Sequence, residues 1–172
     1  MLLVWLKHFK DTIVKKTFAF LALCFIALYA VSAQSADIIA DIVKEEKTTW
    51  KSLTYLAYYS DDENVDKTIS LNDAFEYFSN AGIIPSGITP DTLLRYDDMS
   101  LFLLKAFDIK ATSILYYCFH SRHYAFRQMK YYGVIKSDAF PGDKMTGSFF
   151  VTIMGKFSST FPNAKLIYKG AY

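Results

Sequence analysis

The clearest pattern along the chain is an apolar stripe at helical spacing that follows Ser70 and stops at Gly82. Ser70 is a good N-cap residue, and Asp73 three places later completes a capping-box pair. Glycine at the end of the stripe supplies the left-handed conformation that terminates a helix without a Cβ clash. The pattern therefore predicts a helix whose buried side is formed by Leu71, Ala74, Phe75 and Phe78.

A second helix is predicted after a loop that contains Gly87 and Pro90. The loop begins in extended form at residues 83–85, because the residue before a proline avoids the helical region. Aspartates in the first turn of the second helix favour its start, since the helix macrodipole attracts negative charge there. We predict this helix over about 97–107, with an inner face of Met99, Phe102, Leu103 and Ala106.

This helix–loop–helix pattern occurs twice, and the second copy lies 51 residues after the first (125 − 74 = 51). The ungapped pairs are Ala74 with Ala125, Phe75 with Phe126, Gly82 with Gly133, Ile84 with Ile135, Ser86 with Ser137, Pro90 with Pro141 and Lys105 with Lys156. A fixed offset that keeps glycine, proline and apolar positions together indicates a duplicated supersecondary unit. In the second copy, Ser121 and Thr146 are the predicted N-caps.

Three further segments complete the prediction of a mainly α fold. Residues 37–60 have apolar groups at helical spacing and then a Thr- and Tyr-rich stretch that fits either a helix or a short strand. Residues 114–119 predict a short helix between the copies, and residues 166–168 predict a short strand or a packed tail. We expect two helix–loop–helix repeats packed together after an N-terminal signal helix and a short helical segment.

The N-terminus has the three parts of a secretory signal. Four lysines precede an uncharged apolar run at 18–31, and Val31 and Ala33 place small residues at the −3 and −1 positions of a cleavage site. The run has 14 residues (18 to 31), fewer than the roughly 18–20 that span a bilayer. We expect export with cleavage after Ala33, and an uncleaved anchor is the alternative.

The predicted organisation is a signal segment or anchor at 1–33, a helical segment with an acidic loop at 34–69, and a repeat domain at 70–172 with copies at about 70–107 and 121–157.

Removal of this segment changes the charge of the protein. The chain has 19 Lys and Arg against 17 Asp and Glu, and residues 1–33 contain four lysines and Asp11, which leaves 15 against 16. A net charge of −1 does not supply the clustered basic residues that bind nucleic acid. Cys24 leaves with the segment, so Cys118 has no intramolecular partner, and we expect the hydrophobic core to hold the exported domain.

The two copies resemble the S-layer homology (SLH) repeat, a helix–loop–helix module of exported envelope proteins. The residues that carry the resemblance are Ala74-Phe75, Gly82-Ile83-Ile84, Pro90 and Arg95-Tyr96-Asp97-Asp98-Met99, and then Ala125-Phe126, Gly133-Val134-Ile135, Pro141 and Thr146-Gly147-Ser148-Phe149-Phe150. They cover about half of the mature chain. Family members commonly have three repeats, and two are visible here.

The resemblance implies anchoring to cell-wall polysaccharide through the arginine of a Thr-Arg-Ala-Glu start to the second helix. Tyr96 and Gly147 stand at the arginine place here, and Arg95 stands one place earlier, at the threonine place. A planar guanidinium forms paired hydrogen bonds with an anionic sugar substituent, whereas tyrosine or glycine does not. We therefore expect the fold to carry over and the anionic-glycan grip to be lost.

These expectations lead to a non-enzymatic exported protein of the periplasm or cell envelope that acts as a binding or scaffolding module. Its expected partner is peptidoglycan or another envelope polysaccharide, or an envelope protein. No nucleic acid is expected, and contact with the membrane is expected only through residues 1–33 if they are uncleaved. The candidate ligand-binding residues are Arg95, Tyr96, Tyr131 and Tyr132, since outward tyrosines can stack on sugars.

A calcium-dependent interaction module is one alternative, because the acidic loop resembles an EF-hand or dockerin loop. Asp62, Asn64, Asp66 and Asp73 place oxygens at loop positions 1, 3, 5 and 12, as a calcium site requires. Lys67 stands where the sharp turn needs glycine. The other interpretation of this stretch is an acidic loop that caps a helix, and no cofactor is expected in that case.

Two other groups of residues have both a chemical and a structural interpretation. Cys118, His120 and His123 are close enough to suggest a metal site, but the favoured interpretation is that Cys118 is a small buried hydrophobe and that the histidines lie at a helix boundary. An envelope glycan hydrolase is the remaining alternative, in which carboxylates flank a glycosidic bond. The candidates for that role are Asp91, Asp97, Asp98 and Asp108.

Overall fold

The computed structural model describes residues 36–61, 64, 68–110 and 112–167, and these residues form helices joined by loops, with no β-strand among them. The helices are α1 (residues 36–44), α2 (Trp50–Tyr59), α3 (Leu71–Asn80), α4 (Tyr96–Ala106), α5 (Ile114–Phe119), α6 (Arg122–Tyr131) and α7 (Gly147–Thr160). The predicted mainly α class with helix–loop–helix packing is confirmed.

The chain divides into two compact units, residues 1–40 and 41–172. Of the first unit the structure describes only residues 36–40, which are helical, and the predicted signal segment lies outside the described residues. Within the described ranges, no helix has both the length and the apolar character needed to cross a membrane. The second unit contains the end of α1 and all of α2 to α7.

The predicted helix boundaries are formed by the predicted capping residues. Ser70 Oγ accepts a hydrogen bond from the Asp73 amide at 3.1 Å, and the Asp73 carboxylate accepts from the Ser70 amide at 3.4 Å, which completes the capping box of α3. Gly82 and Gly133 follow α3 and α6 with φ of +68° and +74°. The stretch at 50–59 that fitted a helix or a strand is helical.

The two copies have the same order of helix, left-handed glycine, loop and helix. α3 of the first copy packs on α2, and α6 of the second copy packs on α4. Phe75 and Phe126, which align at the 51-residue offset, are both buried. The ring of Phe102 on α4 contacts Trp50 on α2 at 5.9 Å and Phe78 on α3 at 5.0 Å between centroids, so aromatic packing joins the successive helices.

The starts of α2, α4 and α7 lie side by side and are joined through the backbone. The Thr48 amide donates to the Met145 carbonyl, and the Leu94 amide donates to the Thr48 carbonyl, both at 2.9 Å. These three residues, each two positions before a helix, are buried. The three helices therefore begin close together, next to this group of buried, hydrogen-bonded residues.

Amides in the first turn of each of these helices donate to a loop carbonyl from another part of the chain. Trp50 donates to Thr92 at 3.0 Å in α2, and Tyr96 donates to Asp143 at 3.2 Å in α4. Gly147 of α7 donates to the Glu45 carbonyl at 2.9 Å. The first amides of a helix have no partner inside the helix, so these contacts satisfy donors that would otherwise be orphaned. The sequence repeat revealed two of these starts, and the structure adds α2 as a third.

The other ends of α2, α4 and α7 border a cavity of about 400 Å³, whose lining includes Ser60, Phe107 and Phe161. The C-terminal segment closes this side, because the Leu166 amide donates to the buried Asp61 carboxylate at 3.0 Å. Residues 166 and 167 form no strand, so of the two predictions for this segment the packed tail is right for them.

Gly147 stands where the backbone around Ile42, in the last turn of α1, comes closest to α7. A Cβ atom built at Gly147 would lie 1.6 Å from the Ile42 carbonyl oxygen, well inside van der Waals contact. We predict that Gly147→Ala lowers the free energy of unfolding by about 3 kcal/mol or more, because the backbone has to shift to admit the methyl group. Urea unfolding followed by circular dichroism measures the change.

Gly155, in the interior of α7, is the matched control. A Cβ atom there meets nothing within 4 Å, so Gly155→Ala should stabilise the protein by about 0.5–1 kcal/mol through helix propensity. Equal effects of the two substitutions would contradict the close approach of the Ile42 backbone to α7.

Candidate ligand-binding groove

An open groove of about 370 Å³, called the α7 groove here, lies between the start of α4, the loop at 134–144 and one side of α7. The side chains that give it chemical character are Tyr96, Lys136, Asp138, Lys144, Phe149 and Lys156. It therefore combines two aromatic rings with three ammonium groups, and a second carboxylate, that of Asp143, also borders it.

The loop that forms one wall of the groove is fastened at several points. Its carbonyls at Pro141 and Asp143 accept hydrogen bonds from the first two amides of α4, at 3.0 and 3.2 Å. Lys130 of α6 donates through Nζ to the Ala139 carbonyl at 3.0 Å. Val134 and Ile135, where the loop begins, are buried. These contacts hold the wall of the groove in one position relative to α4.

The phenol of Tyr96 stays neutral at physiological pH. Burial raises its pKa above the usual value of 10.0, and the nearby carboxylates of Asp143 and Asp138 raise it further. A neutral phenol both donates and accepts a hydrogen bond. On the other side of the groove, Lys136 Nζ lies 5.1 Å from the centroid of the Phe149 ring, a cation–π contact that holds the ammonium group above the ring.

Arg95, a predicted ligand-binding residue, pairs with carboxylates in the first turn of α4, and its side chain is 42% exposed. Its guanidinium donates to both oxygens of the Asp97 carboxylate, at 3.1 and 2.9 Å, and its Nε lies 4.0 Å from Asp98. Asp98 also accepts from Arg122 of α6 at 2.8 Å, and this bond raises the pKa of the Arg122 guanidinium. Both carboxylates are buried, and the Arg122–Asp98 pair fastens α6 to the start of α4.

The predicted ligand residues do not come together in one site. Tyr96 borders the α7 groove at the start of α4, whereas Tyr132 donates its hydroxyl to the Lys110 carbonyl at 2.9 Å, beyond the end of α4. The Tyr132 ring also packs against Phe161 at 5.0 Å. Tyr131 is exposed beside it. Sequence reasoning therefore identified one residue of the groove and missed its lysines and Phe149.

The candidate calcium ligands are only partly covered by the structure. Asp62 and Asp66 lie outside the described residues. Asn64 is buried and donates its side-chain amide to the Tyr58 carbonyl at 3.2 Å. The Asp73 carboxylate caps α3, where it accepts from the Ser70 hydroxyl at 2.7 Å. The capping role predicted for Asp73 is thus present, and calcium binding stays a prediction.

The other two candidate groups are dispersed. Cys118 is exposed, so the interpretation of this residue as a buried hydrophobe is wrong; α5 buries only Tyr116 and leaves the cysteine in solvent. Over the described ranges, no three His, Cys, Asp or Glu side chains are grouped so that they could hold a metal ion. Asp91, one of the carboxylates considered for hydrolysis, pairs with Lys51 at 2.6 Å.

Comparisons of the chain with protein-family models, with curated proteins and with solved structures give no match. The resemblance to SLH repeats therefore stays a prediction from the residues that carry it.

We predict that Asp98→Asn lowers the free energy of unfolding by about 1.5–3 kcal/mol, because it removes the charge that pairs Arg122 and lies near Arg95. Together with Arg122→Gln, the loss should be smaller than the sum of the two single effects by about 1 kcal/mol. Urea unfolding of the four proteins of this cycle gives the coupling.

Asp91→Asn is the control, since it breaks the Lys51–Asp91 ion pair, whose carboxylate is 78% exposed, and should cost at most about 1 kcal/mol. An Asp98→Asn effect no larger than that of Asp91→Asn would show that the buried pair does not fasten α6 to α4.

Proposed function

We propose that this chain is a non-enzymatic exported protein of the cell envelope that binds an envelope polysaccharide, with peptidoglycan as the first candidate, through the α7 groove. The observation that carries the proposal is the combination of aromatic rings and ammonium groups that border the α7 groove. Tyr96 and Phe149 supply the rings, and Lys136, Lys144 and Lys156 supply the charge.

This combination suits a glycan that carries carboxylates. Aromatic faces pack against the apolar faces of sugar rings, and lysine ammonium groups pair with carboxylates as point charges. The Tyr96 phenol is neutral at physiological pH, so it can donate a hydrogen bond to a sugar hydroxyl or accept one from it. The guanidinium of Arg95 is bound to the Asp97 carboxylate. The groove is therefore the site that would bind the carboxylates of the glycan.

The proposed role is to bind the polysaccharide rather than to cleave it, because the charged groups of the groove favour binding of an anion. The three lysines outnumber the carboxylates of Asp138 and Asp143, so the local charge favours an anionic ligand. The secretory features of residues 1–33 support the envelope as the place of action.

Co-sedimentation with purified peptidoglycan sacculi tests the proposal. The protein should pellet with the sacculi, and Lys136→Gln combined with Lys156→Gln should lower the apparent affinity roughly fivefold, since each exposed charge pair contributes up to about 1 kcal/mol. Added salt should weaken the binding of the unmodified protein for the same reason.

Lys105→Gln is the matched control, because Lys105 aligns with Lys156 at the 51-residue offset and lies outside the groove. A protein that stays in the supernatant, or a control that loses as much binding as the double variant, would overturn the role of the groove. Release of soluble reducing sugar from the sacculi would instead establish a hydrolase.

A further inference from the structure

Helix α5 presents apolar side chains to solvent on most of its surface. Ile114 is 78% exposed and Phe119 is 64% exposed, and Leu115 and Tyr117 are also exposed. Tyr116 is the one buried residue of this six-residue helix. Helices of soluble proteins normally bury their apolar side, and a contiguous exposed group of this kind marks an interaction surface. The four exposed residues are called the α5 patch here.

The segment of the chain that contains α5 and α6 is basic. Residues 109–137 contain five Lys and Arg and no Asp or Glu, whereas the rest of residues 34–172 contains ten against sixteen, a net charge of −6 (10 − 16). The five are Lys110, Arg122, Arg127, Lys130 and Lys136. Lys136 lines the α7 groove and Lys130 bonds to its wall, so Lys110, Arg122 and Arg127 are the basic residues of this segment that remain for the surface around α5.

Helix α6 continues the patch with an exposed line of its own. His123, Arg127 and Tyr131 are exposed and follow one another at intervals of four, so they share one face of α6. The rings of Phe119 and Tyr124 stack with centroids 5.9 Å apart, which joins the end of α5 to the start of α6. Apolar, aromatic and basic groups therefore form one continuous surface.

Two neighbouring carboxylates limit the charge of this surface. Asp98 pairs with Arg122, and Asp108 is exposed close to Tyr116. Arg127 and Lys110 are exposed and remain as the basic groups closest to the patch in sequence. When the Arg122–Asp98 pair is counted as neutral and Asp108 is set against Lys110 and Arg127, the surface keeps a net positive charge.

We propose that the α5 patch docks on an anionic lipid bilayer, with its apolar side chains at the boundary between headgroups and acyl chains and with Lys110 and Arg127 among the headgroups. Exposed Leu, Phe and Tyr side chains bordered by Lys and Arg are what an interfacial helix requires. Anionic headgroups supply the complementary charge. A second copy of the chain fits less well, because a two-fold contact would bring the basic rim against itself.

This contact goes beyond the polysaccharide binding proposed above, and it differs from the expectation that only residues 1–33 meet a membrane. A fluorescent probe on Cys118 distinguishes the two membrane contacts, because this exposed cysteine lies between Tyr117 and Phe119. The experiment uses the full chain with Cys24→Ser, so that Cys118 alone carries an environment-sensitive dye. The vesicles contain phosphatidylcholine, either alone or mixed with phosphatidylglycerol.

The dye should shift to shorter wavelength with the mixed vesicles and not with phosphatidylcholine alone, and added salt should reverse the shift. Arg127→Gln should weaken the apparent affinity about fivefold. Phe119→Ser should remove most of the shift. Phe140→Ser is the matched control, because Phe140 is 69% exposed in the loop before α7, and it should leave the shift unchanged.

A second control moves the dye to the exposed position 79 in a chain with Ser79→Cys, Cys24→Ser and Cys118→Ser, where no shift is expected. An unchanged spectrum at Cys118, or equal shifts with both kinds of vesicle, would overturn the proposal. A shift that grows with protein concentration in the absence of vesicles would also overturn it, in favour of self-association.

Discussion

The fold of the second unit, as far as its residues are described, depends on the first amides of three helices, which donate to carbonyls from elsewhere in the chain. A helix cannot bond its own first amides, and burying them without partners is costly. Here the amides of Trp50, Tyr96 and Gly147 donate to carbonyls at Thr92, Asp143 and Glu45. Each bond fixes one helix against the loop of a different segment, so the three starts become interdependent.

The residues at the first positions of these three helices differ in burial and in what they contact. Trp50 is buried and packs against Phe102 in the core. Tyr96 is half-buried and borders the α7 groove. Gly147 lies so close to the Ile42 carbonyl that no side chain fits. The same backbone hydrogen-bonding arrangement therefore places a core residue at the start of α2 and a groove residue at the start of α4. At the start of α7 it places a glycine against the backbone of α1.

Much of the fold follows from local chemistry and could be predicted from the sequence. Ser70, Ser121 and Thr146 cap helices because their hydroxyls accept the amides that the helix leaves free, and Gly82 and Gly133 adopt the positive φ that ends a helix. The α2 start escaped prediction because its similarity to the other two is in backbone hydrogen bonds, which Thr48 and Thr49 do not reveal by residue type.

The groove was less predictable, because its lysines come from separate segments that only the folded chain brings together. Lys136 lies in the loop after α6, and Lys156 lies in the second half of α7. Arg95 was predicted as a ligand residue, but its guanidinium donates through Nε and one terminal nitrogen to a carboxylate two residues away. The sequence alone does not show which of its neighbours a guanidinium will choose.

Amide hydrogen exchange tests the interdependence of the three helix starts most directly. The amides of Thr48 and Leu94 lie outside regular helix and donate across segments, so they should exchange only on global unfolding, with the same free energy as the Leu103 amide inside α4. Exchange of these two amides as fast as that of Thr92, whose bond to Thr89 lies within its own loop, would contradict the account.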